Sequence, residues 1–369
     1  MFCNVQVEKQ LSWAKSCSTL LKRPDEPPEQ NVAFPDLMSD SNLFEWAGIS
    51  FGRSDTYRLY LSIKAFAETL PAEVERLRFF GMMKTRGSPY YIVEGNSVDE
   101  EEVDEKVEEG KSGANKYSYW VTQSVESGTW TKLPNVTMEQ VVAARKFKKY
   151  LTGNLETPTV SFPPFNGNES NLLRAMIALI GGSTIISPAG YFELDEDSDP
   201  PVIKLAEAET LNEAFPKPAQ ELKEPDAWVH HEVELNELGR VTTMPEELDE
   251  NGDVVEPDEP VELVPPLKGV EPEQWSLRYG PGGAGEHPGS VVFAKSLVWP
   301  GAVAVAEGKR FVNIYVGYGV KYEAKTYSPP LPAALQVEWV PEEEEEPLVE
   351  SEDVRADPTP PQDEEEEED

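Results

Sequence analysis

The residue types best suited to chemistry are few and poorly spaced. His230 and His231 are adjacent, with Glu232 and Glu234 beside them, and together they suggest a metal site. Metal-binding pairs of the H-E-x-x-H kind sit at i and i+4, so that both imidazoles share one helix face. Neighbours at i and i+1 diverge, and WVHHEVELNELG reads instead as a short surface helix. His287 lies in PGGAGEHPGS with Pro288 after it; no clear strand precedes it, so it fits a flexible loop better than a phosphate cradle. No G-x-S-x-G elbow and no Cys/His pair occurs in well-patterned sequence. Paired acid and base work needs two converging carboxylates, but nearly all carboxylates here sit in acidic runs. Glu45, Glu94 and Glu169 stand apart from those runs, and Glu169, in NGNES, suits a helix N-terminus, where the dipole favours negative charge. The expectation is a non-enzyme with no catalytic, cofactor-binding or metal residues and no cofactor.

Two binding features remain. Arg145, Lys146, Lys148 and Lys149 would suit an acidic partner or phosphate, or simply a helix end of the sign the dipole favours. Trp46, Trp120, Trp130, Trp299 and the tyrosines of NIYVGYGVKY would line a groove, or more simply a core or subunit interface.

The elements that must position these residues are organised around Pro158 to Leu194, PTVSFPPFNGNESNLLRAMIALIGGSTIISPAGYFEL. It reads as strand, loop, helix, strand: Pro163-Pro164 disfavours helix before it, Asn168 caps the first turn, and Gly181-Gly182 stops the helix. Leu172, Leu173, Met176, Ile177, Leu179 and Ile180 make that helix mostly apolar, so other elements must cover it.

Composition sets the limits. The chain has 369 residues, net charge −37 and 33 prolines, too extreme for one compact globule throughout. Segments 95–112, 193–274 and 338–369 carry −6, −20 and −16, which leaves +5 on the rest. A mildly basic body therefore carries strongly acidic insertions, and phosphate-rich partners are repelled, so nucleic acid is not expected. No apolar run reaches bilayer-spanning length and residues 1–23 lack a signal-peptide pattern, which points to a cytosolic setting without a membrane. Cys3 and Cys17 both fall in the first segment, where a disulfide would staple nothing; free thiols are expected.

In chain order, residues 1–36 read as a mobile leader. Residues 37–194 read as an α+β block: a helix around Leu43, Phe44 and Trp46, a second from Ser54 or Asp55 with Leu59, Ile63 and Phe66 as its buried stripe, then the hairpin RLRFFGMMK and SPYYIVEG turning at Arg86, Gly87 and Ser88. KYSYWVTQ and GTWTKL resume the same sheet after the acidic insertion 95–112. TMEQVVAARKFKKYLTG is a helix with a capping box from Thr137 and Gln140, ending at Gly153. Residues 195–274 read as an acidic, proline-rich linker, 275–335 as a small antiparallel β block with a turn at Glu307-Gly308-Lys309, and 336–369 as a disordered acidic tail. The fold class is α+β, with mixed and antiparallel sheets, a few packed helices and acidic disordered insertions.

Together, LFEWAG with GRSDTYRLYLSIK, GANKYSYWV, WTKLPNVTMEQVVAARKFKKYLTG, SFPPFNGNESNLLRAMIALI with SPAGYF, WVHH, SLVWPGAVAVAEGKRFVNIYVGYGVKY and YSPPLP resemble the radial spoke head protein four and six family of motile cilia. The blocks cover most of Leu43 to Pro332. The resemblance implies a non-enzymatic subunit of the axonemal radial spoke head in cilia and flagella, within the cytoskeleton, that relays central-pair signals to dynein arms. It implies as partners a close paralogue, a smaller related head subunit, spoke stalk or neck proteins, and transient contact with central-pair projections. Family members commonly carry a longer region ahead of LFEWAG, and the short leader here departs from that pattern, which fits a short paralogue, an isoform or an incomplete gene model. The alternative from the residues alone is a soluble acidic, chaperone-like module whose carboxylates hold a basic client.

Overall fold

The computed structural model describes residues 9–15, 17, 32–34, 36–71, 74–96, 107–111, 113–195, 202–242, 263–267, 274–280 and 291–322, all within one compact unit, Met1–Glu323. Cys3, His287, the YSPPLP block, the acidic tail and much of both internal acidic segments lie outside the described residues.

The central element is an eight-stranded mixed sheet. Strands β1 (Leu77–Met83), β2 (Tyr90–Asn96), β3 (Tyr117–Thr122) and β4 (Thr131–Lys132) form one antiparallel meander. Strands β9 (Trp275–Tyr279), β10 (Val291–Ser296), β11 (Ala302–Glu307) and β12 (Arg310–Gly317) form another. The first strand of one pairs in parallel with the last strand of the other, β1 against β12, to give the order β4-β3-β2-β1-β12-β11-β10-β9. The small separate sheet expected from Trp275 onward is therefore half of a larger one. Gly81 makes the joint possible: it has φ +143° and sits at a register break in β1, and a Cβ there would lie 1.9 Å from the Tyr315 carbonyl oxygen. No other residue type fits so close a backbone approach.

Strand alternation sends side chains to two cores. On one face Leu77, Phe79, Val93 and Trp120 pack under helices α1 (Leu37–Trp46) and α2 (Arg53–Ala67), whose Leu59, Ile63 and Phe66 form the expected stripe. Cys17, a free buried thiol, packs on Leu61 of α2. On the other face Phe80, Tyr90, Ile92, Tyr119 and Val121 meet helices α3 (Met138–Arg145) and α4 (Glu169–Thr184). Along the β9–β12 half, that face is covered by Ile186, Leu222 and Trp228. Here the small pair β5 (Ile186–Pro188) and β8 (Trp228–His230) lies close to helix α6 (Ala219–Leu222). A second small pair, β6 (Phe192–Asp195) with β7 (Val202–Leu205), precedes α5 (Ala208–Ala214).

The predicted capping box of Thr137 with Gln140 is present on α3, and Asn168 caps α4 as expected, there in a box with Asn171. Two lengths differ. α3 stops at Arg145, short of Gly153, because residues 146–168 turn away to build an irregular loop. α4 runs through Gly181 and Gly182 to Thr184; Gly182 lies against passing backbone, and a Cβ on it would meet the Val233 oxygen at 2.8 Å. That glycine serves helix-to-chain contact, not termination.

Candidate functional site

Three carboxylates, Glu169, Glu94 and Glu109, turn out to be buried and saturated with donors. Glu169 opens α4, as its position in NGNES predicts. It accepts hydrogen bonds from the Tyr90 hydroxyl at 2.8 Å, the Thr152 amide at 2.6 Å and hydroxyl at 2.7 Å, and the Gly153 and Asn154 amides at 2.8 and 3.1 Å. A charge at the positive end of a helix, ringed by N–H and O–H donors, is stable out of water. It clamps the loop after α3 to β2 and α4.

Glu94 on β2 faces Arg78 across the β1–β2 register, and the guanidinium donates from Nε and Nη2 at 2.8 Å to each oxygen. Tyr119, its register partner on β3, donates at 2.9 Å. Burial pushes the Glu94 carboxyl up, but the Arg78 charge and its bonds outweigh this and hold it below the usual range. Arg174 of α4 lies 4.7 Å from the centre of the Tyr119 ring and donates to the Ala114 carbonyl at 2.8 Å. Ionic and aromatic groups thus tie three strands to the helix above them.

Glu109 lies within the predicted acidic insertion yet is buried. It accepts from the Ala114, Val241 and Thr242 amides at 3.1, 2.9 and 2.9 Å, and from the Thr242 hydroxyl at 2.7 Å. Nothing in a run of carboxylates singles it out, and only tertiary structure does.

The histidines are not on a surface helix. His230 ends β8 and His231 follows it, and the His231 ring stacks on Phe192 with centroids 4.4 Å apart. Burial lowers His230 to about 4 and His231 to about 3, the latter helped by the Arg78, Lys116 and His230 charges. Both rings are neutral at physiological pH. Glu232, raised by burial against the pull of Lys116, accepts from the Tyr117 hydroxyl at 2.9 Å. Among the described residues no group of three His, Cys, Asp or Glu is placed to hold a metal ion. No helix among them is long and apolar enough to cross a membrane.

The tryptophans and the basic run separate by role. Trp120, Trp130 and Trp299 are core residues, and Trp46 is half-buried. Arg145 donates to the Leu235 carbonyl at 2.6 Å, and Lys149 to the Val160 carbonyl at 2.9 Å. Of the NIYVGYGVKY tyrosines, Tyr315 is buried while Tyr318 is exposed. Glu94, Glu109 and Glu169 are thus committed to holding the shape of the fold.

The family model described as radial spokehead-like protein matches residues 6–111 and 103–366. The chain is 34% identical over 374 residues to mouse radial spoke head protein 6 homolog A, covering 83% of this chain and 52% of that protein. Against human radial spoke head protein 4 homolog A the values are 31% over 386 residues, 86% and 52%. Against flagellar radial spoke protein 4 of Chlamydomonas reinhardtii they are 30% over 351 residues, 86% and 73%. The chain spans about half the length of the mouse and human relatives it matches.

Proposed function

The chain belongs to the radial spokehead-like protein family, and from this we propose that it is a structural, non-catalytic subunit of the axonemal radial spoke head in motile cilia and flagella. Its role is to build the head with other spoke subunits, a close paralogue and a smaller related head subunit among them, and to meet central-pair projections transiently on the way to dynein control. The observation that carries the reading is the family match across both meanders of the sheet. It is supported by the commitment of Glu94, Glu109 and Glu169 to internal clamps. The acidic segments suit a head that touches its neighbour by brief collision, since like-charged surfaces resist sticking.

The test is to express an epitope-tagged chain in ciliated cells, remove the membranes and fractionate the axonemes. The chain is expected in the axonemal fraction and absent from axonemes that lack spokes. Recovery wholly in the detergent-soluble fraction would count against this function.

A further inference from the structure

The irregular loop between α3 and α4 displays apolar side chains to water and is rigidly held beneath. Val160 is 82% exposed and Phe162 81%. The Lys149 bond to the Val160 carbonyl joins this stretch to Tyr150. Tyr150 meets Tyr318 edge to face with ring centroids 5.4 Å apart, and both are 48% exposed. Lys84 Nζ stands 5.6 Å from the centre of the Tyr318 ring.

Underneath, Glu169 fixes residues 152–154, Gln140 donates to the Asn166 carbonyl at 3.0 Å, and Leu151 is fully buried. Exposed aromatic and branched side chains on a loop anchored this firmly are preorganised for contact, because little conformational freedom is left to lose on binding.

The charge around them selects the partner. The segments that build the rim bear exposed Arg86, Lys146 and Lys148 in addition to Lys84 and Lys149, against one exposed carboxylate, Glu156. A nucleic acid reaching beyond the rim would meet the repulsion of a chain carrying −37. A short peptide feels only charges within about 10 Å.

We propose that this rim docks an extended, carboxylate-rich peptide segment of a neighbouring chain, its glutamates against the lysines and its apolar or proline residues on Tyr150, Phe162 and Tyr318. The inference rests on the spoke-head reading only for the source of that segment.

The test measures binding of a fluorescent peptide, PEEEEEPLVE, to the full chain by anisotropy, beside a copy with glutamines for its glutamates and an oligothymidylate long enough to reach well beyond the rim. Saturable binding of the acidic peptide alone is expected, weakened about 10-fold by Phe162→Ala with Tyr318→Ala, and about as much by Arg86→Glu with Lys146→Glu. Thermal unfolding should be unchanged in both pairs, since all four side chains are exposed. Absence of binding, indifference to both pairs, or an equal hold on the oligonucleotide overturns the proposal. So does loss of self-association in the Phe162/Tyr318 variant without peptide binding, which would give the rim to a second copy. Failure here leaves the spoke-head assignment standing, and exclusion of the chain from axonemes would not abolish peptide binding.

Discussion

Tyr90 of β2 and Glu169 of α4, 79 positions apart in the sequence, share a buried 2.8 Å hydrogen bond from the phenol to the carboxylate. The same carboxylate gathers the Thr152, Gly153 and Asn154 amides, so one side chain joins sheet, helix and displayed loop.

Glu169→Ala would strand those donors out of water. A loss of about 3 kcal/mol in urea unfolding is expected, against about 1 kcal/mol for Tyr90→Phe, which removes one bond of the set. A loss below about 1 kcal/mol for Glu169→Ala would contradict the clamp.

Arg78 and Glu94 form a bidentate pair across β1 and β2. Removing only the cation, as in Arg78→Met, leaves a buried anion and is expected to cost about 3 kcal/mol, whereas Arg78→Met with Glu94→Leu should cost much less. Glu94 is held below its ordinary value, so its contribution is present above the unfolded carboxylate range and is lost as pH falls through the folded value. A double-mutant cycle at pH 7 and pH 3 checks both; additive losses at pH 7 would refute the coupling.

His230 and His231 are kept neutral, at about 4 and about 3. Below about pH 6.5 the unfolded chain takes up two protons that the folded chain refuses, so stability falls as pH falls. Between pH 6.5 and 5 the loss should be about 1.5 kcal/mol per histidine, partly offset by Glu232, whose raised value acts in the opposite sense. His230→Gln with His231→Gln should flatten this slope. An unchanged slope would show that other groups cause it.

Gly81→Ala places a methyl group against the Tyr315 backbone at the parallel joint. A loss of about 3 kcal/mol or more is expected, with amide protection falling first in β1 and β12. Wild-type stability would mean the two meanders are not held in this register.

Much of the local structure was legible. The capping residues Thr137 and Asn168, the stripe Leu59, Ile63 and Phe66, and the turns at Arg86–Ser88 and Gly308-Lys309 all act as their chemistry suggests. The blocks from LFEWAG to NIYVGYGVKY resemble the radial spokehead-like family to which the chain belongs. The β1–β12 pairing was not legible, because alternation tells that a segment is a strand and not which strand lies beside it. WVHHEVEL spaces its apolar residues in a way that suits a helix as well as a strand, and only the pairing with β5 decides. Gly182 looks like a helix stop until the backbone crossing it is seen. Glu109 carries no local mark at all, and Glu94 gains its meaning only once Arg78 and Tyr119 lie opposite it.

The central claim, membership in the spoke head, is tested most directly by extracting native complexes from motile cilia and sizing those that contain this chain at low and high salt. Apolar and aromatic interfaces survive salt, whereas a purely electrostatic grip is screened. Co-migration with other spoke-head subunits at both salts is the predicted result. A free monomer, or a complex that dissolves at high salt, would contradict it and favour an acidic chaperone that holds a basic client.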